Sequence, residues 1–201
     1  MTKIKFCGLT CEDDISAVNE IMPDYAGFVF AQRSRRYVSR EQAQVLRSLL
    51  DKRIKAVGVF VDEDIKTVAD MLDRGIIDIA QLHGNEDDDY ILRLKALTGK
   101  PVIKAFRIRT FQDVQSAGSS KADMILLDAG AGDGRTFDWS LVKQVGRPYF
   151  LAGGLCAENA AAAIEALHPF ALDVSSGIET DGHKDKKKMA AFSACLSRSG
   201  F

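Results

Sequence analysis

The chain has 201 residues, 46% of them hydrophobic and 27% charged, and its 27 basic and 28 acidic side chains leave a formal net charge of −1. This composition is typical of a soluble globular protein. The balanced charge argues against nucleic acid as the main partner, because a phosphate backbone is bound by a clustered basic surface. No apolar run approaches the roughly 20 residues that cross a bilayer, and the sequence begins with no leader-like stretch. We therefore expect a cytoplasmic protein with no membrane partner.

Eight short, nearly continuous apolar runs recur along the chain, at residues 4–7, 26–30, 56–61, 79–82, 102–106, 124–127, 149–152 and 171–174. Such runs are typical of strands that are buried on both faces of a parallel sheet. Helical periodicity fills the segments between them, at residues 12–21, 39–50, 64–72, 85–97, 138–145, 157–167 and 184–196, with a weaker pattern around Val114. Ser39 and Asp138 are the predicted N-caps of two of these helices.

The repeating unit is one strand plus one helix, because the predicted strands start 22 to 30 residues apart. Eight such units predict a single-domain (β/α)8 TIM barrel, an α/β fold, over residues 1–201, close to the lower size limit of about 200 residues for that fold. A doubly wound open sheet is the alternative. It favours a glycine-rich first turn, whereas here the first strand is followed by Cys7-Gly8-Leu9-Thr10.

Residues with useful chemistry follow most of the predicted strands, at the end where a barrel builds its active site. They are Cys7, Arg33 to Arg36, His83, Arg107, Asp128, Gly153, Gly154, and the segment from Asp173 to Gly177. Loops collect polar residues in any protein, so each one alone has an ordinary explanation. Their recurrence at so many strand ends favours a functional site.

The last two strands are followed by glycine and serine residues: Gly153, Gly154, Ser175, Ser176 and Gly177. Glycine lets backbone N–H groups come close to a ligand, and a short helix after the eighth strand would direct its N-terminus towards an anion. Phosphate sites of TIM barrels lie at this position. We therefore predict that these residues bind a phosphate group.

Several longer motifs occur in a fixed order between residues 5 and 188. They include Lys5-Phe6-Cys7-Gly8-Leu9-Thr10, Ser34-Arg35-Arg36-Tyr37-Val38-Ser39, Gln81-Leu82-His83-Gly84-Asn85-Glu86, Leu126-Leu127-Asp128, Leu151-Ala152-Gly153-Gly154-Leu155 and Leu172-Asp173-Val174-Ser175-Ser176-Gly177-Ile178-Glu179. Together they resemble the phosphoribosylanthranilate isomerase family of tryptophan biosynthesis. The resemblance implies an Amadori rearrangement of a small-molecule substrate, a phosphorylated aminoaldose, to an aminoketose, with no cofactor and no metal.

The resemblance also implies that Cys7 is the general base and Asp128 the general acid. The acid would protonate the furanose oxygen to open the ring, and the base would remove the proton from C2. From the residues alone, the favoured interpretation is that Cys7 is a small buried strand residue and Asp128 a helix or loop cap, and the resemblance reverses it. A thiol acts as a base only as the thiolate, whereas Asp128 would have to keep its proton above the usual pKa of about 3.9. We expect their pKa values to shift in opposite senses.

Three further residues are carried over as substrate ligands. Arg36 is implied to bind the anthranilate carboxylate, for which a planar guanidinium is suited, although the residues alone do not distinguish it from Arg33 and Arg35. Asp173 is implied to bind sugar hydroxyls or the backbone beside the phosphate. For His83, a contact with substrate and a purely structural role remain equally open.

Two other functions are left as alternatives. A histidine-pathway isomerase has related chemistry but uses paired aspartates, one of them on the first strand, where this chain has Cys7. A barrel that only binds a phosphosugar or a partner protein would be unaffected by Cys7→Ala.

The chain departs from the family in the glycine-rich segment 129–136, which lacks the usual Gly-Gly-Ser/Thr-Gly order and is predicted to act as a mobile lid. Its four cysteines form no C-x-x-C pair, which gives no indication of zinc and fits a reducing compartment. Nothing in the sequence marks an apolar interface, so a monomer is one expectation for the oligomeric state.

Overall fold

The computed structural model describes residues 1–128, 139–143 and 145–198. Eight parallel strands close into a barrel in chain order: β1 (Lys3–Cys7), β2 (Tyr25–Val29), β3 (Lys55–Phe60), β4 (Ile79–Leu82), β5 (Val102–Arg107), β6 (Met124–Asp128), β7 (Tyr149–Ala152) and β8 (Ala171–Val174). The barrel closes where β8 pairs with β1, with Lys5 opposite Asp173. The predicted TIM barrel is confirmed, and the open-sheet alternative is wrong.

Helices connect the strands in the alternating order that the sequence predicts. They are α1 (Glu12–Ile21), α2 (Arg40–Leu49), α3 (Ile65–Asp73), α4 (Asp88–Thr98), α5 (Phe111–Ser119), α6 (Trp139–Val142), α7 (Ala157–Leu167) and α8 (Lys186–Arg198). The Ser39 cap is confirmed, since its hydroxyl accepts a hydrogen bond from the backbone N–H of Gln42 at 3.2 Å. The predicted cap Asp138 and the predicted lid at 129–136 lie outside the described residues.

Two helices begin two or three residues later than predicted, because the residues at their predicted starts have other partners. Helix α4 begins at Asp88, capped by Asp87, while the side chain of Glu86 is buried in the preceding loop. Helix α8 begins at Lys186, because the residues before it form a two-stranded hairpin, β9 (Glu179–Thr180) and β10 (His183–Lys184).

The side chains of each strand alternate between two cores. One core fills the space between barrel and helices and contains Phe6 and Phe28, and the other lies inside the barrel and contains Val57, Leu126 and Phe150. Positions two apart share a face, so Cys7 and Asp128, at strand ends, point to the inner side of the barrel's carboxyl end. In the described part of the chain, no helix combines the length and apolar character needed to cross a membrane.

Candidate active site

A cavity of about 270 Å³ opens at the carboxyl ends of the strands. Its lining contains nine of the ten residues that the sequence predicts for the site: Cys7, Arg36, His83, Asp128, Gly153, Gly154, Asp173, Ser175 and Ser176. Gly177 is the exception. It packs against the backbone carbonyl of Leu155 so closely that any side chain would clash, so its role there is to permit this packing.

Cys7 ends β1 and is only 9% exposed. Burial raises the pKa of the Cys7 thiol above its ordinary value, and Asp173 raises it further, whereas the ammonium groups of Lys5 and Lys184 act to lower it. The residue therefore rests as a thiol, beside two cations that favour the thiolate when the proton leaves.

Lys5 lies inside the barrel and forms an ion pair with Asp173. Its Nζ atom is 2.8 Å from Asp173 Oδ1, and the two side chains are 0% and 8% exposed. Burial acts to lower the pKa of Lys5, but Asp173 and Cys7 outweigh it, so the pKa is raised and the ammonium stays charged. Asp173 thus holds the cation that faces Cys7, and it also lines the cavity.

Glu179, on the hairpin after β8, gathers three cations. The Nε and Nη2 atoms of Arg36 donate to its two carboxylate oxygens at 2.6 and 2.9 Å. Arg35 donates to Oε2 at 2.8 Å and Lys184 to Oε1 at 2.7 Å. Burial acts to raise the pKa of Glu179, but hydrogen bonds from Arg36 and Lys184 outweigh this and bring it to about 2. The carboxylate therefore stays charged and fixes Arg36.

The stem of Arg36 is held from the other side by the turn after β1. Gly8 has a φ of +79°, and a Cβ atom there would collide with the Cδ atom of Arg36. Only glycine combines this conformation with this close approach. Arg36 is therefore fixed at the cavity with its remaining N–H groups available for a ligand. Arg33 and Arg35 are both exposed, which distinguishes Arg36 from its neighbours.

Asp128 ends β6 and lies beside His83. The His83 Nε2 atom is 3.6 Å from Asp128 Oδ2, and the side chains are 26% and 23% exposed. The other ring nitrogen, Nδ1, is 3.3 Å from the Nε2 atom of Gln81. The backbone N–H of His83 donates to the carbonyl of Phe60 at 2.8 Å. The structure thus places His83 against the candidate acid.

The loop that carries His83 is anchored by the buried carboxylate of Glu86. This group accepts hydrogen bonds from the backbone N–H groups of Asp62 and Gly84 at 2.8 and 2.9 Å, and it pairs with the ammonium of Lys104 at 2.8 Å. A charged group this deeply buried needs such a full set of partners. The network holds the loop after β4 in one conformation.

The candidate phosphate site is formed by the turns after β7 and β8. Gly153 and Gly154 have φ values of +99° and +64°, which glycine adopts without strain. The hydroxyl of Ser175 donates to the carbonyl of Cys7 at 2.9 Å. Lys184, whose side chain is only 3% exposed, donates to the carbonyl of Ser175 at 3.0 Å. These contacts tie the turn after β8 to the end of β1 and place a buried cation next to Ser175, which lines the cavity.

Four residues of this site were given no role by the sequence analysis: Lys5, Gln81, Glu179 and Lys184. Lys5 and Gln81 do leave a signal, since each is a polar residue inside an apolar run, two positions before Cys7 and His83. That spacing places each pair on one face of a strand. Glu179 and Lys184 leave none, because the hairpin that pairs them is not visible in the periodicity. Among the described residues, no group of three or more His, Cys, Asp or Glu side chains is placed to hold a metal ion.

Comparisons with known proteins identify one family. Residues 4–194 match the family model for N-(5'-phosphoribosyl)anthranilate isomerase. A protein of that name from Endomicrobium trichonymphae is 46% identical over 94% of this chain and 95% of its own length. One from Clostridium acetobutylicum is 44% identical over 96% of each chain.

Solved structures that superimpose on this chain come from the same family as the sequence relatives. Phosphoribosylanthranilate isomerase from Thermotoga maritima superimposes with a TM-score of 0.91 at 34% identity, over 98% of this chain and 100% of that one. A phosphoribosylanthranilate isomerase in complex with reduced 1-(o-carboxyphenylamino)-1-deoxyribulose 5-phosphate gives a TM-score of 0.88, also at 34% identity and with the same coverage.

Proposed function

The chain belongs to the N-(5'-phosphoribosyl)anthranilate isomerase family, which makes it an aldose–ketose isomerase of tryptophan biosynthesis, and we propose that Cys7 is its general base and Asp128 its general acid. One observation carries this assignment. A buried thiol and a carboxyl group end β1 and β6 and line the same cavity, with the ammonium of Lys5 favouring the thiolate. Acid–base isomerisation needs two such groups on either side of one substrate.

The reaction begins with the proton of the Asp128 carboxyl group, which passes to the furanose ring oxygen. The bond between C1 and the ring oxygen breaks, and the lone pair of the anthranilate nitrogen forms an iminium with C1. Cys7 acts in its thiolate form: once the thiol has released its proton to solvent, the thiolate removes the proton from C2. The electron pair of that bond forms a C1=C2 double bond and neutralises the iminium. The resulting enolamine gains a proton at C1 and loses one from the C2 hydroxyl, which gives the ketone.

The remaining residues of the cavity position the substrate. Gly153, Gly154, Ser175 and Ser176 are proposed to bind the phosphate, with Gly177 allowing their turns to pack together. Arg36 is proposed to bind the anthranilate carboxylate through the N–H groups that Glu179 leaves available. Asp173 is proposed to bind the ribose hydroxyls, and His83 to border the substrate next to Asp128.

We further infer a cytoplasmic location, with residues 1–201 acting as one monomeric domain. Cys7 and Cys11 carry thiols although they lie close in sequence, which fits a reducing compartment. The large apolar side chains that are exposed occur at most two to a helix, Val45 with Leu49 on α2 and Leu92 with Leu97 on α4, and the others lie on different elements. Sedimentation equilibrium at micromolar concentration should give the mass of one chain, and the mass of a dimer would overturn the monomer.

Turnover of freshly prepared N-(5'-phosphoribosyl)anthranilate tests the function. The parent protein should convert it to 1-(2-carboxyphenylamino)-1-deoxyribulose 5-phosphate, followed by the change in anthranilate fluorescence. Asp128→Asn keeps the size of the side chain but has no acidic proton, so kcat should fall by about 10²- to 10⁴-fold. The matched control is Asp181→Asn, at an exposed turn position with a φ of +50°, and it should keep the parent rate. An unchanged rate for Asp128→Asn would overturn the assigned acid.

A further inference from the structure

Gln81 is a polar residue buried inside the barrel, near the carboxyl ends of the strands. It lies on β4 between Val59 and Ile103 of the neighbouring strands and is only 1% exposed. Its Nε2 atom lies 3.3 Å from His83 Nδ1. Its Oε1 atom, although buried, has no hydrogen-bond partner among the described residues. A buried amide oxygen without a partner costs free energy, so its presence calls for a physical reason.

The orientation of the Gln81 amide decides which nitrogen of His83 carries the proton. An amide NH2 group can only donate, so the Nδ1 atom opposite it must offer a lone pair. A neutral imidazole with a lone pair on Nδ1 carries its proton on Nε2. That nitrogen is the one that lies 3.6 Å from Asp128 Oδ2.

We propose that Gln81 is a positioning residue that holds His83 with its proton on Nε2, so that an N–H group faces the carboxyl of Asp128. The proposal rests on the assignment of Asp128 as the general acid. When Asp128 gives its proton to the ring oxygen it becomes a carboxylate, and an N–H at Oδ2 stabilises that negative charge. The opposite tautomer would present a lone pair to the carboxylate and repel it.

The unpartnered oxygen of Gln81 follows from this arrangement. Rotating the amide by half a turn would bring Oε1 to Nδ1, where it could accept a hydrogen bond only from an Nδ1–H group. This would satisfy the oxygen but favour the other neutral tautomer. The observed orientation leaves the oxygen without a partner and keeps the proton on the Asp128 side. No apolar residue at position 81 could make this selection.

Nitrogen NMR tests the tautomer directly and without turnover. The chain has three histidines, and two of them, His168 and His183, are exposed. In ¹⁵N-labelled protein, multiple-bond proton–nitrogen spectra show which ring nitrogen carries hydrogen, and His83→Asn assigns the His83 signals. We expect the Nε2–H form for His83 in the parent. The Nδ1–H form in the parent would overturn the proposal.

Two substitutions test the link to catalysis. Gln81→Met keeps the length of the side chain but removes the donor that holds the His83 ring and the unpartnered oxygen. The Nε2–H fraction of His83 should therefore decrease, and kcat should fall by about tenfold or more, part of the 10²- to 10⁴-fold that general acid catalysis supplies. KM should be unchanged, and Tm should not fall, because the substitution removes a buried oxygen that has no hydrogen-bond partner. Gln81→Glu places an acceptor opposite Nδ1 and should shift His83 towards the Nδ1–H form. Gln115→Met, an exposed position on α5, is the matched control.

A fall in kcat together with a smaller Nε2–H fraction, without a fall in Tm, supports the proposal. A fall in kcat with the same Nε2–H fraction as in the parent would overturn it, because Gln81 would then act through packing alone. An unchanged kcat for Gln81→Met would overturn it as well. Failure of the parent to convert N-(5'-phosphoribosyl)anthranilate would contradict the proposed function, while the tautomer result in the parent would still be measurable.

Discussion

Lys5 decides how readily Cys7 can serve as a base. Its ammonium group is fully buried, is paired with Asp173 at 2.8 Å, and lowers the pKa of a thiol that burial raises. Lys5→Met should therefore raise the pKa of Cys7 further. At a pH below the pKa, each unit by which the pKa of Cys7 rises reduces the thiolate fraction tenfold. The kcat/KM value should therefore fall at neutral pH, and the pH at which kcat/KM rises should become more alkaline.

The pH profile of kcat/KM measures this effect, since it reports the ionisation of the free enzyme. Lys3→Met on the same strand is the control, because Lys3 lies over the rings of Tyr25 and Phe170 at the opposite end of the barrel. Its profile should match that of the parent. A profile of Lys5→Met that coincides with the parent profile would contradict the role given to Lys5.

Arg36 acts on binding rather than on the proton transfers. Arg36→Ala removes a charged, hydrogen-bonded partner of the anthranilate carboxylate, a contact of about 1.5–3 kcal/mol. KM should rise by about 10- to 100-fold at 1.4 kcal/mol per factor of ten, with a smaller change in kcat. Arg33→Ala, at an exposed position outside the cavity lining, should leave KM unchanged. Steady-state kinetics of both variants decides the point, and equal KM values would count against the assignment.

The sequence alone predicts which residues at the strand ends form the site. It does not predict the buried charged residues that surround Cys7. Strand ends are readable from apolar runs, so the amino-acid pattern is enough to place Cys7, His83 and Asp128 at one end of the barrel. The charge that surrounds Cys7 cannot be read in this way, because it depends on the register that sets Lys5 opposite Asp173. Register between strands far apart in sequence is a long-range property.

At the scale of elements, the hairpin β9–β10 explains why Arg36 is fixed. It carries Glu179, which pairs with Arg36 across a sequence separation of 143 residues, and Lys184, which pairs with Glu179. Local periodicity predicts a helix from residue 184. In the structure Lys184 belongs to strand β10, and α8 begins at Lys186. The pairing of Lys184 with Glu179 and with the Ser175 carbonyl overrides the local helical preference.

The hairpin carboxylate should make stability depend on pH in the acid range. The pKa of Glu179 is lowered from 4.5 to about 2 in the folded protein, so its contribution is fully present above pH 4.5 and is lost as pH falls towards 2. A shift of this size corresponds to about 3 kcal/mol. The stability difference between the parent and Glu179→Gln should therefore shrink across this window.

Urea unfolding at a series of pH values measures that difference. Glu20→Gln is the control, because Glu20 forms an exposed ion pair with Lys186, with both side chains 58% exposed, and exposed pairs contribute little. Its difference from the parent should stay near zero at every pH. A constant difference between the parent and Glu179→Gln from pH 4.5 to 2 would contradict the ion-pair account.

At the scale of the whole molecule, the barrel brings residues from both ends of the chain to one cavity. Cys7 and Ser175 lie 168 positions apart, yet the serine hydroxyl donates to the cysteine carbonyl at 2.9 Å. The fold could be predicted because eight strand-plus-helix units leave few ways to bury continuous apolar strands. The contacts of the polar residues inside the barrel could not be predicted. Lys5 and Gln81 stand out as polar residues in apolar runs, but their pairing with Asp173 and His83 depends on the fold.

The central claim is that the thiol of Cys7 takes the proton from C2, and the turnover rate of Cys7→Ala tests it most directly. Cys11→Ala is the matched control, because Cys11 is an exposed cysteine on the neighbouring turn. With N-(5'-phosphoribosyl)anthranilate as substrate, we predict that Cys11→Ala keeps the parent kcat and that Cys7→Ala loses about 10²- to 10⁴-fold while remaining folded. A folded Cys7→Ala protein that turns over at the parent rate would contradict the account.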